Sequence, residues 1–251
     1  TQPEKEPQPE PTKSTVVDLD TVRAQVLEFL AKFQCANATA NLSSEGNLSI
    51  SGFVSSREDL DEVRLEMSRL EGVTNFSEDL AVHPWPFCEM LEMLQRHQSP
   101  DISPSFQTRL EFNKPDQRYK RGDYLVVSAT VGSAYDGYLY IDYLDSDGTV
   151  VHMLPSPKRL QNDVYGGQKV VIGAEGHDPR GYFSYKIEPP YGLGLLAAIT
   201  SPNPLFESPP SEHVETAHEY FPTLRTALQA ISLENSSGGV IAAFQFIEIY
   251  E

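Results

Sequence analysis

Two cysteines, Cys35 and Cys88, are the residues of this chain whose chemistry is easiest to state. In an oxidising compartment they can form a disulfide, which stabilises a small domain by restricting its unfolded state. In a reducing compartment they would be two buried thiols. Neither cysteine lies in a sequence setting that would activate a thiol for catalysis. The spacing alone leaves the disulfide and the two thiols as open alternatives.

A pair of histidines, His213 and His218, stands near Glu215 and Glu219 and suggests a metal site at first sight. A separation of five residues does not put the two histidines on one helix face, and no Cys or Asp stands at ligand spacing. We therefore expect these histidines at a solvated surface.

Acidic residues at Asp142, Asp145 and Asp147, followed by Gly148, resemble part of a calcium-binding loop. A calcium loop of the EF-hand type needs ligands at alternate positions and a Glu at the twelfth. Tyr143 and Leu144 interrupt that alternation, so the segment 145–148 predicts a hairpin turn instead.

Motifs for nucleophilic catalysis or phosphate binding are absent from the sequence, which contains no Gly-x-Ser-x-Gly and no Gly-Lys-Ser/Thr. We therefore expect a protein that is not an enzyme, with no catalytic residue, no metal and no cofactor.

Aromatic residues are concentrated in the second half of the chain. About half of its tyrosines should be core or strand-pair residues, and the others can anchor a partner. Trp85, in Pro-Trp-Pro, either packs between domains or forms an exposed anchor, and packing is favoured. The candidate partner-binding residues are Trp85, Tyr138, Tyr140 and Tyr191.

The formal charge of −17 excludes several partners. Nucleic acid requires clustered Lys and Arg, which the chain does not have, and an anionic membrane surface would repel it. The acidity favours solubility or a basic partner. No apolar run of about 18 residues predicts a membrane span. The chain begins at Thr1 without a signal peptide, so we expect that an anchor upstream of Thr1 is missing from it.

Composition and periodicity divide the chain into four segments. A Pro- and Glu-rich linker, predicted to be disordered, covers residues 1–15, and a small α/β sandwich covers 16–96. The apolar spacing within Val16 to Phe33 predicts a helix that Asp18 or Asp20 caps, and a second helix runs from Ser55 or Ser56 to a cap at Gly72. The further elements predicted for this domain are strands 36–42, 48–54 and 73–82 and a helix at 87–95.

The segment LSISGFVSSREDLDEVRLEMSRLEGVTNF resembles the BON domain of bacterial envelope proteins. The residues that carry the resemblance are Gly52, Val54, Ser56, Leu70, Gly72 and Val73. This resemblance implies binding to phospholipid or another envelope component. Similar segments linked to bacterial kinases tend to contain a Cys pair, so the resemblance favours a Cys35–Cys88 disulfide and an oxidising compartment.

After a linker at 97–105, residues 106–251 predict a mainly antiparallel β-sandwich with a C-terminal helix near 220–231. The predicted strands are 124–131, 137–143, 150–153, 169–172, 182–187, 194–200 and 240–249.

Several short motifs follow one another in this half: Gly122-Asp123, Gly137-Tyr138-Leu139-Tyr140, Leu154-Pro155, Gly167-Gln168, Pro189-Pro190, Gly192 and the run Leu195 to Thr200. In these motifs the half resembles the bacterial family called domain of unknown function 4384. The resemblance implies an accessory or sensory role, because the family is appended to kinases, caspase-like peptidases and surface lipoproteins.

Together these observations predict an α+β protein that acts as a binding or sensing adaptor in the bacterial envelope, periplasmic or on the cell surface. Its partners would be other envelope or secretion-machine proteins, or peptidoglycan or lipid headgroups. An accessory domain that regulates a peptidase, a kinase or an effector is the alternative. A hydrolase is a third hypothesis, which a cleft holding a carboxylate pair with shifted pKa values would favour.

Overall fold

A computed structural model describes residues 18–98, 103–209, 212–234 and 239–251, without the side chains of 232–234. The chain is of mixed α+β type and mostly β-sheet, with four helices in these residues. It divides into two compact units between Val82 and His83. The linker predicted at 1–15 lies outside the described residues, as do residues 99–102 of the linker predicted at 97–105.

The first unit has the predicted element order of helix, strand, strand, helix and strand. Its sheet has the order β1-β2-β3, in which β1 and β2 are antiparallel and β2 and β3 are parallel. One apolar cluster forms its core, with Leu48, Ile50 and Val63 almost fully buried. The elements are α1 (Leu19–Leu30), β1 (Asn37–Leu42), β2 (Asn47–Val54), α2 (Arg57–Met67) and β3 (Asn75–Val82).

Both helices of this unit begin at the caps that the sequence indicated. The Asp18 side chain accepts a hydrogen bond from the Asp20 backbone N–H, and the Ser56 side chain accepts one from Asp59. The end of α2 differs from the prediction, because the helix ends at Met67 and not next to Gly72. The residues between form tight turns, and Gly72 has the positive φ of +96° that the turn before β3 requires.

The second unit contains fourteen of the described elements. The helix predicted at 87–95 is present with those bounds, but it lies in this unit, whereas the sequence assigned it to the first domain. The elements are α3 (Phe87–Gln95), β4 (Arg109–Phe112), β5 (Arg118–Lys120), β6 (Tyr124–Leu125), β7 (Val127–Thr130), β8 (Gly137–Asp145), β9 (Thr149–Leu154), β10 (Asp163–Val164), β11 (Lys169–Ile172), β12 (Tyr185–Lys186), β13 (Gly192–Ser201), β14 (Val214–Thr216), α4 (Ala217–Glu234) and β15 (Ile241–Tyr250).

The largest sheet of this unit has the order β14-β9-β8-β13-β15-β5, with β10 paired to β8. Its pairs are antiparallel except β15 with β5, which are parallel. The other strands form a sheet of order β11-β7-β4 and the pair β12-β6. The apolar core includes Leu139, Ile141 and Met153, so the β8–β9 hairpin forms part of it.

The predicted hairpin turn between β8 and β9 is confirmed. The Gly148 N–H donates to the Asp145 carbonyl over 3.1 Å, and Gly148 has a φ of +88°. The Trp85 ring covers this turn, and a Cβ at position 148 would come within 2.7 Å of it. Glycine is therefore required by both the turn and the ring.

Helix α4 is longer than predicted, and its start is fixed by a capping box. The Thr216 backbone N–H donates to the Glu219 carboxylate over 3.3 Å, and the Glu219 backbone N–H donates to the Thr216 hydroxyl over 3.4 Å. In the residues that the structure describes, no helix is both long enough and apolar enough to cross a membrane.

Candidate functional site

A buried polar network joins the β8–β9 hairpin to β14 and α4. Asp142 and His152 are direct partners in the hairpin register, and His152 Nδ1 lies 2.8 Å from Asp142 Oδ1. The second ring nitrogen, His152 Nε2, lies 2.6 Å from Glu215 Oε1. The Tyr220 hydroxyl donates to Asp142 Oδ2 over 2.6 Å.

The contacts of His152 determine its protonation state. Ionised carboxylates can only accept hydrogen bonds, so a ring that bonds to two of them must donate from both nitrogens and carry a proton on each. Burial lowers the pKa of His152, but Asp142 and Glu215 raise it by more, and it is about 9. Burial and Asp142 raise the pKa of Tyr220 well above its usual value. At neutral pH the network thus holds an imidazolium between two carboxylates.

Backbone pairing sets the position of Glu215. Strand β14 pairs with β9, and in this register Glu215 lies opposite Val150. The backbone N–H of His152 donates to the backbone carbonyl of His213 over 2.9 Å, which extends the β9–β14 pairing by one residue. The capping box at Thr216 then starts α4 immediately after the strand, so Glu215 is held from both sides.

An open groove of about 640 Å³ lies beside the network, and Glu215 and Tyr220 belong to both. Its walls are mainly apolar or small side chains, with carboxylates at Glu207 and Glu215. The described residues that line it are Leu205, Phe206, Glu207, Ser208, Glu215, Tyr220, Pro222, Thr223, Thr226, Ala227 and Ala230.

The exposure of the network residues limits what they can do chemically. The His152 side chain is 2% exposed and both nitrogens are engaged, so it cannot accept a proton from a molecule in the groove. The Glu215 side chain is 30% exposed, and it presents negative charge at the groove. The arrangement therefore suits the binding of a cationic group better than proton transfer.

Two of the predicted partner-binding tyrosines pack against the groove or the core. Tyr140 is 5% exposed, and its hydroxyl accepts a hydrogen bond from the Leu205 N–H over 2.8 Å, so it holds a residue that lines the groove. Tyr191 is half-buried and packs against the core of the second unit. Tyr138 is half-buried on β8, opposite Ser201 of β13.

Trp85 packs within the second unit while remaining 38% exposed. Its ring stacks on His218 with the centroids 4.5 Å apart, and its indole N–H donates to the Glu89 carboxylate over 3.2 Å. Both contacts are with residues of the second unit, and part of the Trp85 ring remains exposed to solvent.

Cys35 and Cys88 are both disulfide-bonded, and the chain contains no other cysteine. The structure therefore contains the disulfide that the BON-like resemblance favoured. A disulfide is typical of proteins in oxidising compartments.

The other residues considered as metal ligands have separate roles. Asp142 contacts His152, whereas Asp147 accepts from the Thr149 N–H over 2.9 Å. His218 is exposed, but His213 is half-buried and stacks on Phe183, which differs from the predicted solvated surface. Within the described ranges, no group of three or more His, Cys, Asp or Glu residues could hold a metal ion.

The buried network was not predicted from the sequence. A usable signal was present, because Asp142 and His152 each interrupt an apolar run and the predicted hairpin turn places them near one another. Nothing comparable marks Glu215 and Tyr220, which come from segments 63 and 78 residues away from their partners.

Comparison with known families places a Domain of unknown function (DUF4384) at residues 118–204. This range includes β8 and β9, with Asp142 and His152, and ends before β14 and α4. No curated protein matches the chain. Nothing in the comparison supports a BON-like domain in the first unit, so that resemblance stays a prediction.

Proposed function

We propose that this chain is a non-catalytic binding module whose groove beside α4 receives a basic amphipathic helix of a partner protein. The observation that carries the proposal is the position of Glu215, which a buried imidazolium holds at the edge of an open, largely apolar groove. Preorganised charge of this kind lowers the cost of fixing a ligand's cationic group.

The shape of the α4 surface supports a helical occupant. Thr223, Thr226, Ala227 and Ala230 follow helical spacing and have short side chains, so a second helix can come close to α4. Leu205 and Phe206 supply an apolar wall for the apolar face of such a helix.

Charge supports a basic occupant. Of the described residues that line the groove, two are carboxylates, Glu207 and Glu215, and none is Lys or Arg. The whole chain has a formal charge of −17, which would speed the approach of a basic partner.

We place this activity on the outer side of a bacterial membrane, in the periplasm or at the cell surface. The disulfide supports an oxidising compartment. The BON-like resemblance of the first unit and the β-sandwich expected for the second agree with an adaptor in an anchored or secretion-associated protein. An accessory domain that regulates a peptidase, kinase or effector would use the same groove.

The direct test is to titrate the protein into a fluorescently labelled, short amphipathic peptide of Leu and Lys and to measure the fluorescence anisotropy of the peptide. We expect saturable binding that weakens as salt is added, because screening reduces attraction to the groove carboxylates. The matched peptide with Glu in place of each Lys should not bind.

Two variants locate the binding. Ala227→Arg fills the groove and adds a positive charge, so it should abolish binding of the Lys peptide. Gln229→Arg adds the same charge to α4 outside the groove lining and is the matched control. Equal binding by the Ala227→Arg variant, or no binding by the original protein, would refute the proposed site.

The compartment is tested separately by counting free thiols in denatured, unreduced protein isolated from its natural host. Zero free thiols in monomeric protein supports an oxidising compartment. Two free thiols would contradict it and leave the groove proposal unaffected.

A further inference from the structure

A second cavity, of about 270 Å³, lies in the same unit. Tyr143 and Asp145 of β8 and Val151 and Met153 of β9 contribute to it, and they alternate along the strands with Asp142 and His152. Alternate residues of a strand point to opposite faces of the sheet. The lining residues are Leu125, Tyr143, Asp145, Val151, Met153, Ser184, Tyr185, Lys186, Ile187, Glu188, Pro189 and Ile249.

Tyr143 provides the first sign of a binding site. Its hydroxyl is buried and has no hydrogen-bond partner in the described part of the chain. The hydroxyl lies close to Gly194, where an added Cβ would come within 2.4 Å of it. A buried hydroxyl without a partner is costly, and a ligand that bonds to it would remove that cost.

Asp145 provides the second sign. One carboxylate oxygen, Oδ1, accepts from the Ser146 N–H over 2.6 Å, and in the described residues Asp145 forms no ion pair. Among the described residues that line the cavity, Lys186 is the one Lys or Arg, and its ammonium is paired with Glu188 at 2.7 Å. Burial and the neighbouring Asp147 raise the pKa of Asp145, as expected for a carboxylate that lacks a cation.

We propose that this cavity binds an alkylammonium group, with the ammonium at Asp145 and Tyr143 and the alkyl stem against Val151 and Met153. An ammonium has three donors, which suit a carboxylate and a hydroxyl oxygen together. The apolar walls, which include Leu125 and Ile249, suit the stem of a lysine side chain or of a free amine.

This site is independent of the groove beside α4. The two sets of lining residues have no member in common. Binding in this cavity can therefore be present or absent whatever the outcome for the groove.

The test is an NMR titration of the full, oxidised chain with Nα-acetyl-lysine amide, with Nα-acetyl-norleucine amide as the control probe that lacks the ammonium. We expect shifts at the Tyr143, Asp145 and Met153 amides with the lysine probe and none with the norleucine probe. A parallel titration with pentylamine distinguishes a free amine from a lysine side chain. Tighter binding of pentylamine than of Nα-acetyl-lysine amide indicates a free amine, and the reverse indicates a side chain.

Variants then assign the groups. Asp145→Asn should weaken binding roughly ten-fold or more, because a charge-assisted hydrogen bond is lost. Tyr143→Phe keeps the aromatic ring but removes the hydroxyl, and it should weaken binding of the lysine probe a few-fold. Asp163→Asn removes an exposed carboxylate outside the lining and should leave affinity unchanged. Binding by neither the lysine probe nor pentylamine, equal binding by the norleucine probe, or unchanged affinity in both cavity variants would overturn the proposal.

Discussion

The two faces of the β8–β9 hairpin carry polar side chains that differ in how completely their hydrogen bonds are satisfied. On one face, Asp142 and His152 engage each other and both have further partners, Tyr220 and Glu215. On the other face, the Tyr143 hydroxyl has no partner among the described residues, and Asp145 forms no ion pair there.

This difference separates two roles for buried polar groups. A fully satisfied network is costly to disturb, so it fixes a structure, and here it fixes Glu215 at the groove. An incompletely satisfied pair has bonding capacity left over, which water or a ligand can use. The first face therefore positions a residue of the groove beside α4. The second face lines the proposed alkylammonium site directly.

The largest effect should come from removing the imidazolium. His152→Leu leaves Asp142 and Glu215 without their cation, and it should lower the free energy of unfolding by about 3 to 5 kcal/mol. Urea unfolding followed by Trp85 fluorescence measures this, because Trp85 is the single Trp and lies in the second unit. A loss of less than about 1 kcal/mol would show that the network does not fix the structure.

The next effect is a loss of stability with rising pH. The pKa of His152 is about 9 in the folded chain, above the ordinary 6.5 expected after unfolding. The stabilisation is therefore complete below pH 6.5 and is lost as the pH rises through 9. The change should be on the order of 3 kcal/mol. Urea unfolding at several pH values should show it, and the His152→Leu variant should lack it.

Tyr220→Phe and Tyr143→Phe each remove one hydroxyl, one at each face of the hairpin. Tyr220→Phe deletes the donor to buried Asp142 and should lower the free energy of unfolding by about 1 to 3 kcal/mol. The same urea experiment measures this cost. A neutral result would mean that Asp142 obtains another donor.

Tyr143→Phe should have the smallest effect, a change between about 0 and 1 kcal/mol in the stabilising direction, because the deleted hydroxyl has no partner. A destabilisation equal to that of Tyr220→Phe would mean that both hydroxyls are satisfied, which would remove the contrast between the faces.

Much of the fold could be predicted from local signals. Caps at Asp18 and Ser56 start two helices, and the Asp-Ser-Asp-Gly turn defines the β8–β9 hairpin. Strand 169–172 and helix 87–95 have the predicted bounds, since their apolar patterns end at clear breaks. The short strands β5, β10 and β14 were missed, because two or three residues carry no recognisable periodicity.

The candidate sites were predicted less well, and for the same reason in each case. Tyr140 was one candidate among tyrosines that could be either core or partner-binding, and its hydroxyl accepts a hydrogen bond from the Leu205 N–H inside the protein. Whether a tyrosine on a strand is core or surface depends on what covers that face of the sheet. The residues that cover it come from distant parts of the chain.

The sequence by itself determined the local elements, the acidity and the presence of two cysteines, since these depend on neighbouring residues or on composition. Only the tertiary structure decided that Glu215 and Tyr220 meet the hairpin, and that Tyr143 and Asp145 line a cavity. The physical reason is that hydrogen-bond satisfaction of a buried group is a property of its surroundings. Glu215 lies 63 positions along the chain from His152, and Tyr220 lies 78 positions from Asp142. No local sequence pattern extends over such separations.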